Sequence, residues 1–600
     1  MDLSPPAFNK ATDENSSSDA SLSTCRRCQE LNLKHMNPEN NRYTVLGRKL
    51  ASFSPSCRLC SIFRRICGSH LNYFDYCLLC CFYTSGLFPR AVPSTQSRSY
   101  RIEYVDGDSA PGIGRKGCGS GWLTPIRKGT GDGNPFYARI LDDQVDFNLV
   151  RQWISFCSMY HKDCGEPIRK GFRFPIRAID CVCHKVVWLP DGAPYLTLSY
   201  TWGPSARRQF FPGILPEALP SLIEDSMTTT VALGYRYLWI DYYCIDQRNR
   251  EEVNNQISQM DIVYAVSEAC IIAATCANPT ELLPGVRKGS RPSSQLVEIE
   301  GETYTMNFNI RGQCAGTWQT RGWTYQEAVL SRRRVVFLSN EILFQCRCTS
   351  FIESINSINP PFINTPTQSC YLGELQLFVN VVPRSPPLLA FLSHFSAYSP
   401  RKMSFTEDIL KGIHGIVQAL RDFYPSSVLV SGIPIVPGTN LKATRAEQFV
   451  AGLAWISINS FPRRRGFPSW SWVGWEGLQF HPDLECGDIT NDCLRIDLES
   501  RQDPLTTITI EDFSDYSTKS LSMSLVIQYI RITAPVVTVR IKYSKRAEHA
   551  QMTVDGLNTA TQLDSSDKIQ CFCTLNEVEE TLGSYEKPRD VTGIVLDGGS

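Results

Sequence analysis

Between residues 195 and 337 the chain alternates short apolar runs with amphipathic ones, and this constrains the fold more than any other feature. Tyr195-Leu-Thr-Leu-Ser-Tyr200, Arg236-Tyr-Leu-Trp-Ile-Asp241 and Ala269-Cys-Ile-Ile-Ala-Ala274 have the length and residue types of buried strands. Between the first two lies a helical stretch, 219–235, with Leu222, Ile223, Met227 and Val231 near one face. Between the second and third, Val253, Ile257, Met260 and Tyr264 fall at i, i+4, i+7 and i+11, a helical period. A loop of roughly forty residues follows, and then a hairpin is expected over 334–346, Arg-Val-Val-Phe-Leu, Ser-Asn, Glu-Ile-Leu-Phe-Gln-Cys. Strands alternating with helices imply an α/β unit: an open parallel sheet with helices on its faces. Ligands of such sheets bind beyond the carboxyl ends of the strands. Here those ends are 199–203, Asp241 with the turn to Gln247, and the loop after Ala274.

A chain of 600 residues exceeds one hydrophobic core, so three or four units are expected. The expected division is a disordered tail over 1–24, a Cys-rich unit over 25–90 and an irregular α+β connection over 91–190. The α/β unit spans 195–345, a mainly helical region 346–460 and a β-rich unit 461–600, so the C-terminal region is α+β and ends in strands. In that last unit FPSWSWVGWEG and IRITAPVVTVRIKY read as strands, with the alternating tryptophans on one buried face. Lys+Arg and Asp+Glu are both 60, so no overall field draws the chain to nucleic acid or to an anionic membrane. No apolar stretch reaches the ~18 residues that span a bilayer, and the N-terminus lacks the charged start and apolar core of a signal peptide. A cytoplasmic placement follows as the expectation, and with it reduced cysteines.

There are 24 cysteines. Cys25-x-x-Cys28 and Cys57-x-x-Cys60 are paired knuckles that present four thiolates to a closed structural zinc site. Buried reduced cysteines in a small helical unit are the competing reading. Neither gives catalysis, since four thiolates leave no open coordination position. A further reading, a zinc-dependent nucleic-acid binder built on these cysteines, is disfavoured by the neutral charge and by the lack of a basic helix near Cys25 to Cys60. Cys157, His161, Cys164, Cys181, Cys183 and His184 form a second cluster in sequence, but their spacing fits no ligand pattern, and packing is expected. Gly112-x-Gly114-x-x-Gly117 matches the dinucleotide fingerprint in letters only. It neither follows a strand nor opens a helix, and it is set aside.

Arg321-Gly-Trp-Thr-Tyr-Gln-Glu327 admits two readings. Thr324-x-x-Glu327 has the form of a capping box, in which the two side chains satisfy each other's backbone amides. On that reading Arg321 pairs with Asp241 to tie the loop to the sheet and Trp323 is core; alternatively the same residues are one wall of a site, with Arg321 holding a phosphate.

Three blocks, Tyr195-Leu-Thr-Leu-Ser-Tyr-Thr-Trp-Gly203, Tyr237-Leu-Trp-Ile-Asp-Tyr-Tyr-Cys-Ile-Asp-Gln247 and Arg321 to Glu327, resemble the signature blocks of the heterokaryon incompatibility (HET) domain of filamentous fungi. Asp246 stands where asparagine is frequent and adds a negative charge beside Asp241. The resemblance implies a role in non-self recognition, in which members trigger growth arrest or cell death when unlike cells fuse. HET domains are in turn similar to Toll/interleukin-receptor (TIR) domains, which implies a TIR-like sheet. Some TIR domains cleave NAD+ at the nicotinamide–ribose bond with a glutamate in a Trp-Cys-x-x-Glu block. That similarity makes Glu327 the candidate catalytic residue, four positions after Trp323, with Thr324 where the cysteine would stand. It makes Ser199, Tyr200, Trp202, Gly203, Asp241, Arg321 and Trp323 the candidates for holding NAD+ as a substrate, with no cofactor required. The alternative is a non-catalytic module that recruits a protein partner or associates with itself.

Overall fold

In the computed structural model, the described residues run almost continuously over 136–357 (without 170, 204–214, 300 and 309–315) and 377–436 (without 383 and 384). Shorter pieces lie between 25 and 126 and between 444 and 595. The expected tail over 1–24 and the Gly112 to Gly117 motif lie outside the described residues.

Two large sheets organise the molecule. The first six-stranded sheet is antiparallel throughout and has the order β1-β2-β3-β4-β12-β11. Its strands are β1 (Thr44–Gly47), β2 (Tyr76–Tyr83), β3 (Arg98–Val105) and β4 (Ser120–Pro125), while β5 (Phe136–Ala138) pairs separately with Ile355–Ser357. The other two come from much later in the chain, β11 (Leu296–Ile299) and β12 (Glu302–Phe308). The stretch after Ala274 is therefore not a plain loop. It sends a hairpin out to extend the N-terminal sheet, where β12 pairs with β4. The short helix Arg26–Glu30 and the helix Arg58–Cys67 contribute Cys28, Phe63 and Leu59 to a core with Leu79, Ile102, Leu123 and Tyr304. The cysteine segment is thus a helix-and-sheet unit, not a helical one.

The second sheet has eight strands in the order β15-β14-β13-β10-β8-β9-β6-β7. The central four are β8 (Tyr195–Ser199), β9 (Tyr237–Trp239), β10 (Ala269–Ala273) and β13 (Arg333–Phe337), and they are parallel. On one side β14 (Ile342–Cys346) and β15 (Ser350–Ile352) add antiparallel strands, the first through the expected hairpin. On the other side β6 (Arg177–Asp180) and β7 (Lys185–Trp188) do the same. The expectation of a wholly parallel sheet is corrected: a parallel centre carries antiparallel margins, and the sheet extends beyond 195 and 345 on both sides. The fold is mixed α/β.

Burial explains why the centre is parallel. Every residue of β8, β10 and β13 is buried, so helices must cover both faces, and crossover helices do so. Helix Ser221–Ala232 links β8 to β9 and buries Leu222, Ile223 and Met227. Val231, expected on that face, is 46% exposed; the buried positions around it are Thr229 and Thr230 instead. The periodic stretch after β9 divides into helices Arg250–Ile257 and Met260–Val266. The break comes at Ser258 and Gln259, where the Gln259 side chain leaves the helix pattern to bond the backbone of Arg173 and Phe174. The second helix is buried on nearly all sides.

Helix Gly322–Leu330 leads into β13 and is covered by helices Pro387–Tyr398 and Lys411–Phe423. Gln326 Oε1 accepts the Gly415 amide at 2.8 Å, and the Tyr325 hydroxyl meets His394 Nδ1 at 2.9 Å. One apolar core then runs from Val145 through the eight-stranded sheet to Trp472 and Ile510. Among its described residues, FPSWSWVGWEG forms no continuous strand. Residues Trp472–Gly474 form a 3-10 turn, and Trp472 is fully buried, stacked on Phe395 at 4.9 Å between ring centres. Beyond 490, strands Arg495–Ser500, Thr507–Thr509 and Ile527–Thr533 make one antiparallel sheet, and Val536–Tyr543 is paired in another. Among the described residues no helix is long and apolar enough to cross a membrane.

Candidate functional site

The chain leaves β8 toward β9 on one side and leaves β10 toward β13 on the other. Connections that part in this way open a crevice at the carboxyl ends of the two middle strands, the usual ligand position in such sheets. Ser199 closes β8 at that point. Gly203 follows with φ +74°, and a Cβ there would lie 3.1 Å from Cβ of Asn278 in the loop after β10. Both the backbone conformation and the close approach require glycine.

Glu327 reaches this end of the sheet from helix Gly322–Leu330. It is 6% exposed, and its Oε2 accepts the Ser199 hydroxyl at 2.5 Å. The Trp318 indole N–H donates to the same hydroxyl oxygen at 2.9 Å, so a chain of hydrogen bonds runs Trp318–Ser199–Glu327. The capping-box reading is overturned. Arg321 is the N-cap and makes no side-chain cap bond. The Thr324 hydroxyl donates to the carbonyls of Trp318 at 2.7 Å and Arg321 at 2.9 Å, because a short preceding helix, Thr317–Thr320, brings Trp318 within reach. Burial pushes the Glu327 carboxyl up to about 7, assisted by the charge of Asp241 and opposed by Ser199, Arg321 and Tyr264.

Asp241 opens the helical turn Asp241–Cys244 after β9. Its carboxylate accepts the Trp202 indole N–H at 3.1 Å on each oxygen and the Tyr242 amide at 2.7 Å. Burial raises it to about 6, against the pull of those two donors and of Arg321. Trp202 is held edge-on to Tyr242, with ring centres 5.3 Å apart. Asp246 turns away to Arg248, at 3.2 Å, and does not add its charge to Asp241. Arg321 forms no ion pair with Asp241 among the described residues. It is half-buried, its field acts on both Asp241 and Glu327, and its carbonyl accepts from Arg401 at 3.2 Å. Tyr200 is buried, whereas Trp323 is half-buried against the core. Two contributors were not read from the sequence as site residues: Trp318, and Tyr264, which was read only as part of a helical period. Trp318 stands only three positions before Arg321, but nothing in its local pattern separates it from a core tryptophan.

The knuckle cysteines also assemble. Cys25, Cys28, Cys57 and Cys60 have their four sulfurs within 4.8 Å of one another. Cys28 and Cys60 sulfurs are 3.4 Å apart and Cys25 and Cys60 sulfurs 3.8 Å, near the edge of roughly 3.8 Å expected for tetrahedral zinc–sulfur bonds of about 2.3 Å. Burial would push the Cys57 thiol up, but the backbone N–H groups of Cys25 and Cys60 and the neighbouring thiols hold it at about 7. These are thiols that can hold a metal such as zinc, in a closed site.

The second cysteine group corrects the expectation. Cys157, His161 and Cys164 do come together, with Cys346 of β14. Cys181 is buried elsewhere in β6's turn, and Cys183 is exposed beside Arg236.

Residues 195–327 match the model of the family described as heterokaryon incompatibility protein (HET). The chain thus carries a HET domain over this span, which begins at β8 and ends on Glu327. No curated protein and no solved structure matches it.

Proposed function

We propose that this HET-domain protein serves in heterokaryon incompatibility and that its crevice between β8 and β10 binds NAD+ and cleaves the nicotinamide–ribose bond. The observation that supports this reading is the position of Glu327. It stands at the topological switch point, bonded to Ser199 and near Asp241 and Arg321, instead of capping its own helix. Nicotinamide leaves as a neutral base, so the reaction needs no general acid. As the C1′–N bond breaks, the Glu327 carboxylate stabilises the positive charge that grows on the ribose, and water then adds to C1′ and releases a proton. Arg321 faces the phosphates, and Trp202 and Trp323 offer aromatic faces to a base or to the nicotinamide ring. Death of the fused cell would follow from the loss of NAD+, with a protein partner or self-association as the trigger.

The test is nicotinamide release from NAD+ by the full-length protein beside Glu327→Gln. Release should fall by at least about 100-fold in the variant, in line with the loss of a charge-stabilising group, and should rise with pH through about 7 as the carboxyl ionises. An inactive wild-type chain that also fails to bind NAD+ overturns the proposal.

A second reading is favoured by one observation. Glu327 is 6% exposed and already bonded to Ser199, as a structural lock between helix and sheet would be. In that case the HET domain acts as a recruitment module, and Glu327→Gln, which keeps the bond, retains incompatibility function in cells.

A further inference from the structure

We infer that Cys157, His161, Cys164 and Cys346 form a second structural zinc site, one that clips the segment before the HET span to the hairpin after it.

The ligands come from three elements. Cys157 lies on the last turn of helix Phe147–Tyr160, His161 sits between that helix and the turn Lys162–Gly165, Cys164 is within the turn, and Cys346 ends β14. All four are buried, and one ligand atom from each lies within 4.8 Å of the other three. His161 Nδ1 is 3.4 Å from the Cys346 sulfur. Tetrahedral bonds of about 2.0 Å to nitrogen and about 2.3 Å to sulfur place those two atoms roughly 3.5 Å apart. Three thiolates and one imidazole are a common closed zinc set.

Packing alone leaves several features unexplained. The His161 ring turns a polar nitrogen, Nδ1, and not a carbon edge, to the Cys346 sulfur inside the cluster. The amides of Cys348 and Thr349 both point at the Cys346 sulfur, at 3.4 and 3.3 Å, and Arg333 Nε points at the Cys157 sulfur at 3.2 Å. Donors converging on sulfur suit thiolates better than thiols, which accept only weakly.

Charge gives an independent argument. Arg333, Arg334 and Arg347 are buried around the cluster. Glu268 pairs with Arg332 and Arg333, and among the described residues neither Arg334 nor Arg347 has a carboxylate partner. Arg347 leaves Nε and Nη2 without acceptors. Buried cations are expensive unless paired. Three neutral thiols supply no counter-charge, whereas zinc with three thiolates and one neutral imidazole carries a net charge of −1 and supplies it.

The position gives the site its consequence. The matched span 195–327 lies between Cys164 and Cys346, so the metal closes the ends of the HET fold on each other. It ties helix Phe147–Tyr160 to the hairpin margin of the sheet, as a metal clip across a long loop does.

The test measures zinc per chain in the full-length protein purified under reducing conditions, with Cys25→Ser/Cys28→Ser as the background that removes the knuckle site. About one zinc ion should remain in that background, and Cys346→Ser added to it should abolish it. Replacement of the remaining ion by cobalt should give thiolate charge-transfer bands with tetrahedral d–d absorption. Should Cys346→Ser fail to fold, His161→Cys serves in its place: it retains the metal and shifts the cobalt spectrum toward four-sulfur ligation. A background protein with no zinc and no cobalt–thiolate band overturns the inference, and so does a cobalt spectrum that His161→Cys leaves unchanged.

Discussion

Glu327 shows how one residue's surroundings can be tested apart from any activity. An exposed glutamate titrates near 4.5, and burial raises this one to about 7. The folded protein therefore holds a proton that the unfolded chain releases between those two values. The contribution of this group to stability is greatest below about 4.5 and falls as pH rises, reaching a loss of about 3 kcal/mol above 7. Glutamine keeps the acceptor for Ser199 and cannot ionise. Urea denaturation at about pH 5 and about pH 8 should show wild type losing stability across the interval and Glu327→Gln losing less by roughly that amount. Equal losses in both proteins would mean that the carboxyl is not held neutral by its site. Glu341 is likewise raised to about 7 by burial, so part of the wild-type slope persists in the variant.

At the scale of elements, legibility followed locality. β8, β9, β10 and the hairpin of β13 and β14 were readable because each is a short apolar run with its own boundary signals. The candidate residues at the strand ends were readable for the same reason, together with the rule for where ligands bind. Partnership between distant segments was not. Nothing in Leu296–Phe308 announces that it pairs with Ser120–Pro125, and nothing in Thr324 shows that Trp318 will stand within reach of its hydroxyl. Cys346 was missed as a ligand because it lies 182 positions from Cys164, although Cys346-Arg-Cys348 was a visible clue. The helix pair Gly322–Leu330 and Lys411–Phe423 is a further case. Gly415 lies against Asp261 and Gln326, and a Cβ there would also come 3.0 Å from Leu330. Gly415→Ala gains helix propensity of about 1 kcal/mol but overpacks the contact by about 1–3 kcal/mol. A net loss of stability in urea, larger than for alanine at the half-buried Gln418 on the same helix, is the expected result.

Among the described residues, one apolar core runs from Val145 to Ile510 around the eight-stranded sheet, well past the limits of 195–345, and that boundary can be tested on this basis. Cutting there removes β6, which pairs with β9, and so bares an edge of the parallel centre. It removes the carbonyl of Gly165 from Arg332, and Cys157 and Ser158 from Arg333, leaving buried guanidinium groups short of partners. It also strips helices Pro387–Tyr398 and Lys411–Phe423 from Tyr325 and Gln326. Each loss exposes apolar surface or removes a partner from a buried polar group, and losses of about 1–3 kcal/mol apiece are large against the roughly 5–15 kcal/mol by which a domain is stable. The 195–345 fragment should therefore lack near-UV circular dichroism and bind hydrophobic dyes, whereas the full chain gives a fixed near-UV signal and little dye binding. A fragment that unfolds cooperatively in urea would show instead that the flanking strands and helices are additions to a self-sufficient sheet. The zinc clip inferred above would then join two independent bodies, instead of closing one.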